Sequence, residues 1–319
     1  MYIRMGLAEV KVQMQQFSSN RYVQGGKEFL SSNSIVAKFA FLILILIVFM
    51  LLMSLGSLIL SKVFAQSHNP ILIDGMIDST HMMVIPQDPS KKGAKPIYRS
   101  NNQREGLEFT WSVWIFVNSL TVENTQFQHV FHKGNNKIAP GTYNVNTSPP
   151  VYPVPGINSP LNGPGLYIMP VQMGANDKVK GTGPGNVAAI RFVMNTFNQI
   201  DNNIDIKNVP LNKWVNVIMR VTKQGQADVY INGVLAKRLM LPSIPRQNYG
   251  DVYLSLNGGF KGNTASLRYF EKAIGTNQVQ SIFAQGPNTK MITSDMASSV
   301  KGPNKYLSTR WFMKTATDV

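Results

Sequence analysis

The sequence has no cysteine in 319 residues and only four histidines. The first absence excludes a disulfide framework, a zinc-thiolate site, an iron-sulfur cluster and a cysteine nucleophile, whatever compartment holds the chain. The second leaves few side chains for metal binding or proton transfer near neutral pH. Acidic residues are also scarce, with 16 Asp+Glu against 31 Lys+Arg and a formal net charge of +15. That imbalance favours anionic surroundings, such as lipid headgroups, nucleic acid or an acidic protein face, and says nothing about fold. At 44% hydrophobic and 15% charged, the composition is that of a folded chain.

Charge is missing altogether from Phe39 to Leu60, between Lys38 and Lys62. At about 1.5 Å per residue this run reaches roughly 33 Å as a helix, enough for a hydrocarbon core of about 30 Å. It reads as a membrane anchor, with the spanning helix at 39–62. Val63-Phe64-Ala65 has the small residues of a signal-peptidase site. The run is nevertheless longer and further from the N-terminus than a secretory h-region, so the span ranks above the signal peptide. Arg4, Lys11, Arg21, Lys27 and Lys38 precede it and only Lys62 follows closely, which places residues 1–38 on the cytoplasmic side. Within that arm Ile3, Leu7, Val10, Met14 and Phe17 form one apolar helical stripe, suited to a membrane interface or a partner helix.

Past the span, short apolar runs alternate with Gly, Pro and Asn, the grammar of an all-β domain. Residues 63–104 read as a linker with the first strand or strands, 105–286 as a β-sandwich and 287–319 as a basic tail. Strands are expected near 108–118, 128–133, 165–171, 187–195, 204–209, 214–222, 227–232, 235–241, 251–256 and 264–270. Val215, Val217, Met219 and Val221 should face one way, and Asn216, Ile218 and Arg220 the other. Asn232-Gly233 predicts a tight hairpin. Trp114-Ile115-Phe116-Val117 is apolar on both faces and predicts a strand covered on both sides. A helix is expected at Thr276 to Gln285, with Val279, Ile282 and Phe283 inward. The Pro/Gly/Asn-rich stretches 86–104 and 139–165 read as loops, the second long enough to suggest a functional surface.

Taken in order, LEFTWSVWIFV (107–117), HVFHKGN (129–135), GLYI (165–168), KWVNVIMRV (213–221), ADVYINGVL (227–235), DVYLSLNGG (251–259) and LRYFEKAIGTNQVQSIFAQG (267–286) resemble the concanavalin A-like lectin/glucanase superfamily, in its laminin-G-like branch. VIPQDPS (84–90) and RSNNQREGLEFTWSVW (99–114) extend the likeness to membrane-anchored members from large DNA viruses of algae and protists. The resemblance implies a jelly-roll sandwich of two antiparallel sheets. It also implies one of several roles: glycan binding, protein binding, β-glucan hydrolysis or a structural part.

Hydrolysis in that superfamily requires an E-x-D-x-x-E strand, and none is present. Glu105 and Glu108 are the nearest approach, yet three-residue spacing on a strand sends them to opposite faces. His129 and His132 share that spacing, so they too are expected on opposite faces, unable to hold one metal. No P-loop, G-x-S-x-G or HExxH occurs, and no enzyme activity, catalytic residue or cofactor is expected. The family's frequent rim calcium is weakly matched by Asp201, Asn203 and Asp205, without the glycine and glutamate that complete a calcium loop. Lys91, Lys92, Lys95, Arg99 and Arg104 cluster with only Tyr98 interleaved, which argues against nucleic acid and for an acidic neighbour.

Two functions from different classes remain, with a degenerate glycoside hydrolase a distant third. The first is a structural tether, a minor virion protein whose sandwich lies between an internal membrane and a capsid or other surface layer. The second is a membrane-displayed, lectin-like glycan-binding protein. A tether should present contact loops to protein, and a lectin an exposed aromatic platform with convergent Asn and Asp groups.

Overall fold

The computed structural model describes residues 24–25, 27–28, 34–63, 67–98, 100, 107–120, 126–141, 153–170 and 187–292, with the side chains of Lys62, Val63 and Val187 excepted. The arm stripe, Glu105, Arg99, Arg104 and the tail beyond 292 lie outside these residues. The chain divides into two compact units, Met1–Gln66 and Ser67–Val319.

In the first unit one helix, α1, runs Ile35–Val63. Its side chains from Phe39 to Leu60 are almost all apolar and exposed, and no described residue of its own unit covers them. One helix near the N-terminus is therefore long and apolar enough to cross a membrane.

The second unit is a two-layer antiparallel β-sandwich. Its strands are β1 (Met76–Asp78), β2 (Met83–Ile85), β3 (Phe109–Val117), β4 (Gln128–Gly134), β5 (Asn162–Ile168), β6 (Val187–Met194), β7 (Asn202–Pro210), β8 (Trp214–Val221), β9 (Gln226–Ile231), β10 (Val234–Met240), β11 (Asp251–Leu254) and β12 (Gly262–Phe270). One sheet has the order β1-β12-β3-β8-β9-β10 and the other β2-β11-β4-β5-β6-β7. The alternation in β8 holds: Val215, Val217, Met219 and Val221 join the core between the sheets, and Ile218 packs on the outer face. Trp111 of β3 bridges the layers, stacking on Phe131 of β4 at 5.4 Å and meeting the edge of Tyr269 at 5.3 Å.

Each sheet also carries cover on its outer face. Helix α2 (Thr276–Gln285) lies on the first, where Val279 and Ile282 pack with Ile218, Tyr230, Phe270 and Ile274. This is why β3 is buried on both sides, Trp114 stacking on Phe283 at 6.1 Å. On the second sheet Val154 and Ile157 pack over Tyr167, Met169, Ala189 and Val193. The hairpin at Asn232-Gly233 forms with φ of 50° and 79°, the left-handed pair the dipeptide favours.

Expected boundaries move at several strands, β5 and β11 among them. β5 begins at Asn162 rather than 165, because Asn-Gly-Pro-Gly pairs as strand with no apolar alternation to announce it. β11 stops at Leu254, where Ser255 and Asn257 adopt φ of 53° and 52° around a 3-10 turn at Leu256–Gly258. Both strands placed within 63–104, β1 and β2, are three-residue edges.

Candidate functional site at the sandwich rim

The first correction concerns His129 and His132, which are neighbours and not on opposite faces. In the β4–β5 ladder His129 opposes Tyr167 and Phe131 opposes Leu166, so Val130 is an extra residue, a β-bulge. Val130 and Phe131 both enter the inter-sheet core, and the histidines flanking them emerge together on the outer side. The Leu256 N–H donates to His129 Nδ1 at 3.0 Å, which leaves the proton on Nε2. His129 Nε2 then donates to His132 Nδ1 at 2.6 Å, and His132 Nε2 donates to the Asn135 carbonyl at 2.8 Å. Burial holds His129 well below the ordinary histidine range, with His132 adding to the effect. Burial also pushes His132 down to about 4, against the Asn135 carbonyl. Both rings are therefore neutral at pH 7, and all four nitrogens are committed.

The same polar cluster continues into Tyr167, whose hydroxyl donates to Asn162 Oδ1 at 2.6 Å and accepts from the Asn158 N–H at 3.2 Å. Asn158 Nδ2 donates to Asn135 Oδ1 at 3.0 Å, and the ring of His132 stacks on Tyr253 at 5.2 Å. This arrangement pins the loop before β5 to β4 and holds no open coordination position.

Asp201 lies just before β7, and Asn203 and Asp205 lie at alternate positions along it, on a strand and not in a loop. The Arg191 guanidinium grips Asp205 through both oxygens at 2.6 and 2.8 Å, so an internal cation already sits on that carboxylate. Burial raises the pKa of Asp201, opposed by Arg191. Among the described residues no three His, Asp or Glu side chains gather as a metal site. Glu108 precedes β3 and its backbone N–H donates to Ser100 Oγ.

A cleft of about 170 Å³ opens at the rim of the sandwich, lined by residues that no motif or periodicity singles out. Its floor is aromatic and aliphatic: Phe109, Trp111 and Tyr269 from the first sheet, and Met194 from the second. Tyr98, Phe197 and the segment Ile244–Tyr249 surround its mouth. The segment is held firmly. The Arg246 N–H donates to the Asn195 carbonyl at 2.8 Å, and the Phe197 N–H to the Ile244 carbonyl at 3.2 Å. Lys133, only 7% exposed, donates through Nζ to the carbonyls of Asn248 and Gly250, both at 2.8 Å. Burial pushes this lysine down to about 8, against the attraction of Asp251. Asn248 returns a bond from Nδ2 to the Lys133 carbonyl at 3.0 Å.

Around this fixed frame large side chains stand in solvent: Tyr249 is 93% exposed, Phe197 68% and Ile244 56%. A second recess with more charged residues adjoins the cleft, sharing Ile97, Lys133 and Tyr249 with it and adding Lys91, Asn135 and Asp251. There Lys91 lies 3.7 Å from Asp251, which also accepts from the Gln87 N–H at 2.8 Å. A backbone anchored in this way, holding exposed aromatic and aliphatic side chains round an apolar hollow, is suited to binding.

The fold and site thus define a β-sandwich with a rim cleft, preceded by an apolar helix of membrane-spanning length. No family model and no curated protein matches this sequence. Among solved structures the chain is similar to the receptor binding domain of botulinum neurotoxin D, at 11% identity over 59% of this chain and 38% of that one, with a TM-score of 0.39. It is likewise similar to the botulinum neurotoxin serotype G binding domain, at 14% identity, 57% and 37% coverage and a TM-score of 0.37. The chain spans less than two-fifths of the length of each of these two structures.

Proposed function

We propose that this protein is a non-catalytic recognition module anchored in a membrane by α1, with its sandwich rim docked on a protein neighbour. In full, the reading is that of a minor structural protein of a large DNA virus, holding an internal bilayer beside a protein shell. The observation that carries it is the composition of the rim. Exposed Tyr249, Phe197 and Ile244 beside Arg246 are the residue types that concentrate binding energy in protein interfaces. The amides that would converge on a sugar hydroxyl are turned inward instead: Asn248 on Lys133 and Gly250, and Asn135, Asn158 and Asn162 on each other and Tyr167. The viral wording of 84–90 and 99–114 supplies the setting, and the positive flank of α1 puts residues 1–38 on the cytoplasmic side. The test is mass spectrometry of purified particles with cross-linking: the reading expects this chain in them, linked through the rim to shell proteins. Its absence from particles overturns the viral setting. Digestion of the arm with protection of the sandwich, in protease-treated sealed membranes, overturns the orientation.

One observation favours the lectin-like alternative. Tyr249 presents nearly its whole ring to solvent beside Tyr98, a platform on which the apolar face of a sugar can stack. A glycan array probed with the full chain, compared with Tyr249→Ala, decides it: ring-dependent binding promotes the lectin.

A further inference from the structure

The described arginines divide sharply. Arg191 is paired with Asp205, Arg220 and Arg238 both grip Asp228, and Arg268 donates to Gln285. Arg246 alone among them has no side-chain partner within the described residues, although its backbone is fixed on Asn195. It stands at the mouth of a cleft whose charged lining residues are itself and Lys133, with no Asp or Glu. The carboxylate next door, Asp251, already serves Lys91 and the Gln87 amide. A planar guanidinium carried on an anchored backbone beside an apolar hollow matches a planar anion, and pairing with one orders the side chain without having to order the loop. The apolar floor and the exposed Phe197 and Ile244 rule against a bare inorganic anion, which would gain nothing from them.

Resting on the reading of the rim as a protein-docking surface, we infer that the cleft takes an acidic residue flanked by apolar ones from a protein partner. The Arg246 guanidinium lies on the carboxylate, and the flanking side chains fill the space between Phe197, Ile244 and Tyr249. Bidentate pairing of this kind suits the Asp or Glu carboxylate, and a lysine cannot reproduce its two parallel bonds. Lys133 contributes positive potential from beneath while holding the loop carbonyls.

The experiment uses the full chain in lipid nanodiscs and a phage-displayed library of random dodecapeptides. The enriched peptides are expected to carry Asp or Glu between aromatic or aliphatic residues. A synthetic peptide of the consensus should lose at least tenfold in affinity when its acid becomes the amide. Arg246→Gln should cause the same loss, Arg246→Lys most of it, and the two changes together little more than either alone, the mark of a direct pair. Unchanged thermal melting of Arg246→Gln excludes a folding defect, since the side chain contacts nothing that holds the loop. Enriched peptides without an acid, or affinity indifferent to Arg246, would overturn the acidic pairing while leaving protein docking in place. No enrichment at all would overturn both.

Discussion

Two tyrosines, one on a strand and one on the rim loop, show how differently one sandwich uses the same chemistry. Tyr167 is wholly buried on β5, its hydroxyl bonded twice within the chain and its ring against His129. Tyr249 sits on the rim loop, almost wholly exposed, and no hydrogen bond holds its hydroxyl among the described residues. The polar cluster round Tyr167 is saturated: histidines, asparagines and tyrosine spend their donors and acceptors on one another, which fixes a loop but offers nothing to a ligand. The rim is the reverse, with an anchored backbone and, in Arg246 and Tyr249, polar side chains that no described residue engages. Chemically rich residues are therefore a poor guide to function here; the guide is which of them lack partners.

This contrast can be broken most forcefully at Tyr167. Tyr167→Ala removes a buried ring and leaves Asn162 and the Asn158 amide without their partner, so it should destabilise the sandwich by about 3–5 kcal/mol. Urea denaturation of the solubilised chain, followed through Trp111 and Trp114 fluorescence, measures it. A loss below about 1 kcal/mol would mean the cluster is not the staple described.

Acid is the next largest probe. His129 and His132 are held neutral in the fold, with pKa values below the ordinary 6.5 and that of His132 at about 4. Their contribution is therefore complete above pH 6.5. Below it the unfolded chain binds protons that the folded chain refuses, so stability falls as pH drops from 6.5 toward 4, by on the order of 3 kcal/mol for His132. Denaturation midpoints across that window should lose much of this slope in a His129→Leu, His132→Leu double variant. An unchanged slope would contradict the neutral pair.

The arginines give a smaller contrast of the same form. Arg191→Gln orphans Asp205 and should cost about 1–3 kcal/mol, whereas Arg246→Gln should change stability by less than about 0.5 kcal/mol. Equal losses would show that Arg246 has a structural partner after all.

Much of this architecture was legible in the sequence because it rests on local periodicity. The charge-free run from Phe39 fixes α1 by composition, β8 by its strict alternation, the hairpin by Asn232-Gly233, and α2 by its apolar stripe between Gly275 and Gly286. The histidine pair was misjudged for a definite reason. A period-two argument assumes an unbroken ladder, and the bulge at Val130 is set by pairing with β5 more than thirty residues away. The rim cleft was illegible because Tyr98, Phe197 and Tyr249 sit in three separate loops with no periodicity, and only the closed sandwich brings them to one mouth. The residues singled out for calcium did lie at strand spacing, but nothing local announced that Arg191 would take Asp205.

The smallest expected effect on stability belongs to Tyr249, and it carries the largest claim. Placing a photoactivatable benzoylphenylalanine at position 249 should leave folding unchanged to within about 0.5 kcal/mol. On irradiation in native membranes or particles, the account predicts covalent adducts to one protein partner from position 249, and none from the same probe at exposed Val234 on β10. Adducts to no protein from position 249, or the same adducts from both positions, would contradict the claim that the rim is where this molecule meets its neighbour.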